Sequence, residues 1–159
     1  MIKVLFVCLG NICRSPLAEG VFEKLLNKHA LQSKFKIDSA GTASYHIGSL
    51  ADERSRAIAL KNNIKLIHRA RAFVVNDFDA FDLIVAMDEN NRADINAIRP
   101  IGNQTPVLLM RFFETQNNGN LNVPDPYYGN EKDFEMVYQL LKDCCTGLVN
   151  DLAIKHSLK

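Results

Sequence analysis

The chain has 159 residues, 47% of them hydrophobic, and 19 Lys and Arg against 18 Asp and Glu leave a net charge of +1. That length suits a single domain over 1–159, and near-neutral charge argues against a nucleic-acid binder that depends on a strong overall positive field, so any basic site must be local. The N-terminal apolar stretch 4–9 is too short to span a bilayer and runs into a polar turn with no cleavage signal, so a cytoplasmic protein without a membrane partner is expected. Four cysteines (Cys8, Cys13, Cys144, Cys145) are too few for a disulfide scaffold. No second ligand pair has finger-like spacing, so reduced thiols and no metal are expected.

Residues 2–8 (IKVLFVC) form an apolar run broken only by Lys3, which predicts a buried parallel strand at the centre of a sheet. Ser15 and Pro16 read as N-cap and first helical residue, with Leu17, Val21 and Leu25 on one face of a helix to about His29. A second strand is predicted over 35–39, ending at Ala40-Gly41. A helix follows over 52–63, with Ala57, Ile58 and Leu60 available for burial. FDLIVAM (81–87) and PVLLM (106–110) read as further buried strands around a short helix at 90–99 that ends near Pro100. Phe134, Val137, Leu141, Cys144, Leu148 and Leu152 mark the stripe of a C-terminal helix. Alternating strands and helices predict an α/β fold, a three-layer sandwich with a central four-stranded parallel sheet and helices on both faces. Ligands of such sheets bind beyond the carboxyl ends of the strands.

That position is occupied by CLGNICRSP, residues 8–16. A strand, a tight loop and a helix start point backbone N–H groups at one anion. Cys8 lies at the bottom of this cradle, where converging N–H dipoles and Arg14 favour the nucleophilic thiolate. The planar fork of Arg14 can hold two phosphate oxygens, which a lysine cannot do. Gly10 lets the chain turn sharply, and Asn11 tolerates a positive φ better than most residues. Ser15 can donate a hydrogen bond to a departing thiolate. A nucleotide-binding P-loop is ruled out by the missing G-K-[ST].

Together with PDPYYG at 124–129, this loop resembles the low-molecular-weight protein tyrosine phosphatases over about residues 2–152. The resemblance implies Cys8 as nucleophile, Arg14 as phosphate clamp and Asp125 as general acid. It further implies Leu9, Gly10, Asn11, Ile12, Cys13 and Ser15 as the phosphate-binding loop, with Asn11 and Ser39 bracing it and His68 behind it. Tyr127 and Tyr128, where the family has a phosphorylatable tyrosine pair, are either exposed loop aromatics or, beside the acid, walls that flank an aromatic substrate ring, and Tyr45 matches a position of an aromatic wall, with packing into the core an equal alternative for it. The segment GSLADER (48–54) keeps a D-x-R ending but lacks the proline often found there. Independently, Pro124 and Pro126 stiffen the segment that carries Asp125.

The expected chemistry is two-step phosphoryl transfer through a phosphocysteine, without cofactor, releasing inorganic phosphate from tyrosine-phosphorylated proteins. The expected assembly is a monomer. An arsenate reductase of the same fold would need two further cysteines near the loop, whereas Cys144 and Cys145 lie on a helix as core plus flank. A protein-arginine phosphatase is a third reading, opposed by Ile12, whose apolar edge suits an aromatic ring better than a guanidinium. A non-catalytic phosphate-binding module should have lost Cys8, Arg14 or Asp125. Cys13 is expected to resolve an oxidised Cys8 as a disulfide. Arg54, Arg56, Lys61, Lys65, Arg69 and Arg71 are expected to form a solvated basic face, with docking of acidic phosphoproteins as the alternative.

Overall fold

The computed structural model describes residues 1–117 and 119–158. Four parallel strands, β1 (Ile2–Cys8), β2 (Phe35–Gly41), β3 (Leu83–Ala86) and β4 (Val107–Leu109), lie in the order β2-β1-β3-β4. The apolar run of β1 takes a central place because both of its faces must be covered. Val4, Phe6 and Cys8 point into one core and Leu5 and Val7 into the other. The first core is closed by α1 (Arg14–Lys28), α2 (Glu53–Lys61) and α5 (Glu131–Lys155). The second is closed by α3 (Asp77–Ala80) and α4 (Glu89–Ala97), through Phe78 and Ile95. The predicted three-layer architecture is the one observed.

Several local readings change. The helix predicted over 52–63 is α2, shorter at both ends because Asp52 caps it by accepting from the Arg54 N–H. It turns Ile58 and Ala59 inward and leaves Ala57 and Leu60 exposed. The C-terminal helix starts at Glu131, where Asn130 and Asp133 form a reciprocal capping box, well before its first buried residue, Phe134. The four-residue α3 is too short for any periodicity to disclose. Cys144 and Cys145 are both fully buried in the α5 core, not one core and one flank, because the helix is covered by α1 as well as by the segment after β4.

Candidate active site

β1 ends at Cys8 and α1 begins at Arg14, so residues 9–13 turn within the space between a strand end and a helix start. Asn11 makes the turn with φ 58°, a left-handed conformation that asparagine adopts more readily than most residues. Gly10 has a different reason from the one expected. Its φ is not positive, and a Cβ there would lie 3.1 Å from Cδ2 of His46. Gly41, at the end of β2, allows the loop to pass: a Cβ would stand 2.7 Å from the Leu9 carbonyl. The residues after β2 tie the loop down through Thr42 N–H to Cys8 O and Ala43 N–H to Leu9 O, both 2.9 Å, and Asp52 N–H donates to Ile12 O at 2.8 Å.

Ser15 is not the N-cap of α1. The helix starts two residues earlier, Cys13 occupies the cap position without a side-chain bond, and no acid lies in the first turn. By contrast α2, α4 and α5 are all capped by side chains, from Asp52, Asp88 and Asn130. The N-terminus of α1 thus keeps its free N–H groups for an anion. The Ser15 hydroxyl turns inward instead, 3.0 Å from Cys8 Sγ. Asn11 Nδ2 donates to Ser15 Oγ at 2.8 Å, so the single Ser15 proton is left for the sulfur or for Ala40 O at 3.4 Å. Asn11 N–H also reaches Sγ, at 3.3 Å.

Asn11 is the hub of the support. Its amide nitrogen also donates to Ser39 Oγ at 3.0 Å, and Ser39 passes its own proton to Glu19 Oε1 at 2.6 Å. Its carbonyl oxygen accepts from Arg71 N–H at 3.0 Å and lies 2.8 Å from His68 Nε2, which fixes the proton on that ring nitrogen. His68 Nδ1 then faces Asp38 at 3.4 Å and Glu19 at 3.6 Å. Burial pushes Glu19 up to about 7, against the Ser39 hydrogen bond. Burial also lowers His68, although Asp38 opposes this.

Arg14 is almost wholly buried. One of its terminal nitrogens donates to Asp88 Oδ2 at 2.7 Å and to Val123 O at 2.9 Å. The other lies 3.6 Å from Asp125 Oδ2. Burial opposes the charge, but the Cys8 sulfur, the Asp88 hydrogen bond and Asp125 hold the guanidinium above its ordinary value. Asp88 was not foreseen. Its second oxygen caps α4 by accepting from Asn91 N–H, so one carboxylate orients both the helix and the arginine. The signal was available: Asp88 follows the apolar run of β3 at its carboxyl end, beside β1.

The opposite wall is the segment 124–129. Asp125 Oδ1 accepts from Tyr127 N–H at 3.1 Å, an Asx turn that fixes the carboxylate against its own loop. Arg54, expected in the solvated face, binds Asp52 with two nitrogens at 3.0 Å. It also donates to Tyr127 O at 3.0 Å and Gly129 O at 3.3 Å and stacks over Phe134 at 4.4 Å. Arg71 likewise leaves that face to pair with Asp38 and Asp77.

The cavity between these walls, about 280 Å³, is floored by Cys8, Ile12, Cys13 and Arg14. Tyr45, His46, Asp125, Tyr127 and Tyr128 stand at its mouth. Tyr45 is 76% exposed, so its core alternative fails. His46 joins the two aromatic sides, with ring centroids 6.3 Å from Tyr45 and 6.2 Å from Tyr127. Burial, Asp52 and the charge of Cys8 push the Cys13 thiol up to about 12.

A cysteine within reach of the Asn11 N–H and the Ser15 hydroxyl, a buried arginine at the far end of the loop and a carboxylate across the mouth suit cysteine-dependent chemistry on a phosphate-like anion. The description "Low molecular weight phosphotyrosine protein phosphatase" matches residues 3–158, and the chain belongs to that family. The low molecular weight phosphotyrosine protein phosphatase of Gallus gallus is 44% identical over 151 residues, 92% of this chain and 93% of its own length. A crystal structure of a protein tyrosine phosphatase from Entamoeba histolytica superposes with a TM-score of 0.91 at 40% identity, covering 99% of both chains. A structure described as a drosophila arginine phosphatase gives 0.89 at 28% identity, covering 95% of this chain and 98% of the other.

Proposed function

We infer that this chain is a single-domain protein-tyrosine phosphatase that acts through a phosphocysteine. The observation that carries the reading is the placing of Cys8 Sγ beneath Asn11 N–H and Ser15 Oγ, with Asp125 3.6 Å from the arginine that closes the loop. The Cys8 thiolate attacks phosphorus and the bond to the phenolic oxygen breaks, while Asp125 gives that oxygen its proton. Asp125, now a carboxylate, takes a proton from water. The water oxygen bonds to phosphorus, the S–P bond breaks, and inorganic phosphate leaves with the thiolate held by Ser15. Arg14 and the loop N–H groups stabilise the equatorial oxygens in both steps.

Tyrosine is favoured over arginine by the walls. Ile12 lines the cavity from a small apolar cluster with Cys13, Ala70 and Phe134, and a guanidinium beside it would lose water without gaining an acceptor. Serine and threonine phosphates are too short to reach Cys8 past Tyr45 and Tyr127. An arsenate reductase relay is not supported, because Cys144 and Cys145 are buried on α5 and burial raises both thiols. The test is kcat/KM on matched phosphotyrosine, phosphoserine and phosphoarginine peptides. Phosphotyrosine should be strongly preferred, and Ile12→Thr should shift the ratio toward phosphoarginine; equal or better turnover of phosphoarginine by the wild type would overturn the assignment.

Cys13 is the resolving thiol in this reading. Burial is the largest cause that keeps Cys13 protonated, with Asp52 and Cys8 adding to it; peroxide oxidises Cys8 to a sulfenic acid, which the Cys13 sulfur attacks to form the disulfide with loss of water. Peptide mapping after mild peroxide should find a Cys8–Cys13 link, and a Cys13→Ser variant that recovers with reductant as fully as wild type would refute the role. No helix among the described residues is long and apolar enough to cross a membrane.

A further inference from the structure

A second concavity, about 600 Å³, lies between α2 and the segment after it. Leu60 and Ile67 border it with 67% and 75% of their surfaces exposed, and Leu50 closes one side. Arg56, Lys65 and Arg69 rim it, and no acid lines it. Among the described residues none of these three cations has a carboxylate within ion-pair distance. Arg56 and Arg69 each spend one N–H on a backbone carbonyl, Ala51 O and Gly48 O at 2.9 Å, which holds their heads in place without a direct ion pair, although Arg56 still feels the Asp52 carboxylate. An apolar trough with an unpaired positive rim matches an acidic segment that carries an apolar side chain.

The trough begins a few residues along the chain from the catalytic mouth. Tyr45 and His46 stand at the mouth, and five residues later Leu50 enters the trough, pinned there by an antiparallel bridge to Arg69. Five residues of chain reach at most about 17 Å, so an extended substrate of similar length spans both sites. We propose that this trough is a docking site for the substrate polypeptide itself, taking a leucine- or isoleucine-bearing acidic stretch about five to eight residues from the phosphotyrosine. The proposal rests on the phosphatase reading for its occupant. It extends that reading from the phosphorylated residue to its sequence context, because the mouth holds the ring while the trough selects the chain that carries it.

The experiment compares two phosphotyrosine peptides, one with a Leu flanked by Asp and Glu at that spacing and one with these residues replaced by Ser and Asn. Wild type should turn over the first with a several-fold higher kcat/KM, through KM, and the advantage should shrink as salt rises. Lys65→Glu combined with Ile67→Ser should abolish the advantage while leaving p-nitrophenyl phosphate turnover unchanged. Equal kcat/KM for both peptides in the wild type, or an equal loss on p-nitrophenyl phosphate, would overturn the proposal. So would a dimer of the free protein that Ile67→Ser dissociates, since a second copy would then cover the trough. Fluorescence anisotropy of the labelled, unphosphorylated acidic peptide reads the trough without turnover. Binding there by a protein with no phosphatase activity would reject the phosphatase reading and keep the trough; no binding beside normal phosphatase activity would do the reverse.

Discussion

The two loops that face each other across the cavity hold their reactive groups by opposite means. Residues 8–15 are buried almost throughout, and Asn11 alone distributes its amide between Ser15, Ser39, His68 and the Arg71 backbone. The segment 124–129 is exposed apart from Pro126, and beyond its own turns it is held by Arg54, which donates to Tyr127 O and Gly129 O, and by the contact of Asp125 with Arg14. The difference follows from the chemistry asked of each. The phosphate loop must present dipoles already aimed at an anion, so reorganisation is removed in advance by burial and redundancy. The acid must reach a leaving oxygen that belongs to a bulky substrate, so it sits where the substrate enters.

Removing the reactive group from each loop gives the largest effects and separates the two kinds of role. Cys8→Ser should abolish turnover of every phosphate ester, because a serine hydroxyl is essentially un-ionised at neutral pH, while phosphate still protects the protein against thermal unfolding. Steady-state turnover by that variant would remove Cys8 from the nucleophilic role. Asp125→Ala should slow poor leaving groups by about 10²- to 10⁴-fold and good ones far less, since the acid matters in proportion to the proton the leaving oxygen needs. An equal loss for alkyl-like and nitrophenyl phosphates would exclude Asp125 as the acid.

Arg54 sharpens the comparison, because it supplies the hydrogen bonds that join segment 124–129 to α2. Arg54→Ala releases Tyr127 O and Gly129 O and unpairs Asp52, so Asp125 loses its position but not its chemistry. A misplacement of about 1 Å costs up to ~10²-fold, and the loss should again fall on poor leaving groups, in kcat more than KM. Arg54→Lys should recover only part of it, since a point charge cannot bond the carboxylate and two carbonyls together. A loss independent of the leaving group would mean that Arg54 only stabilises the fold.

Much of the placement of this candidate site is legible in the sequence, for a physical reason. The nucleophile, the arginine and the turn residues lie within one strand-loop-helix unit, where spacing along the chain is spacing in space. The same locality made β1 and its central place readable from seven residues. What stayed hidden depends on contacts between distant segments. Asp88 reaches Arg14 from 74 residues away, Glu19 is joined to the loop through Ser39 and His68, and Arg54 reads as one more surface cation until segment 124–129 is laid over it. The Ser15 cap failed for a related reason. A serine before proline favours an N-cap locally, yet here its hydroxyl is claimed by Cys8 and Asn11.

The smallest effect tests the depth of the phosphate-loop support. Glu19 is surrounded by Ser39, Asp38, Glu23, Arg71 and His68, and burial raises it from 4.5 to about 7. A carboxyl held above its unfolded value contributes stability that is complete below pH 4.5 and is lost as pH rises through about 7. At 1.36 kcal/mol per pH unit the whole effect is on the order of 3 kcal/mol. Glu19→Gln keeps an oxygen for the Ser39 hydroxyl and carries permanent protons in place of the titrating one, so it should not suffer this loss. His68 is lowered and works in the other direction, losing stability as pH falls below its ordinary 6.5, and because its Nδ1 lies 3.6 Å from Glu19 the two titrations are coupled, so the difference between the proteins reports the pair. The melting temperature of the variant relative to wild type should therefore climb between pH 5 and 8, by roughly 2–4 °C for each kcal/mol. Parallel melting curves across that range would show that Glu19 is already charged at pH 5. The wiring from Ser39 to Asn11 would then rest on an ionised carboxylate throughout.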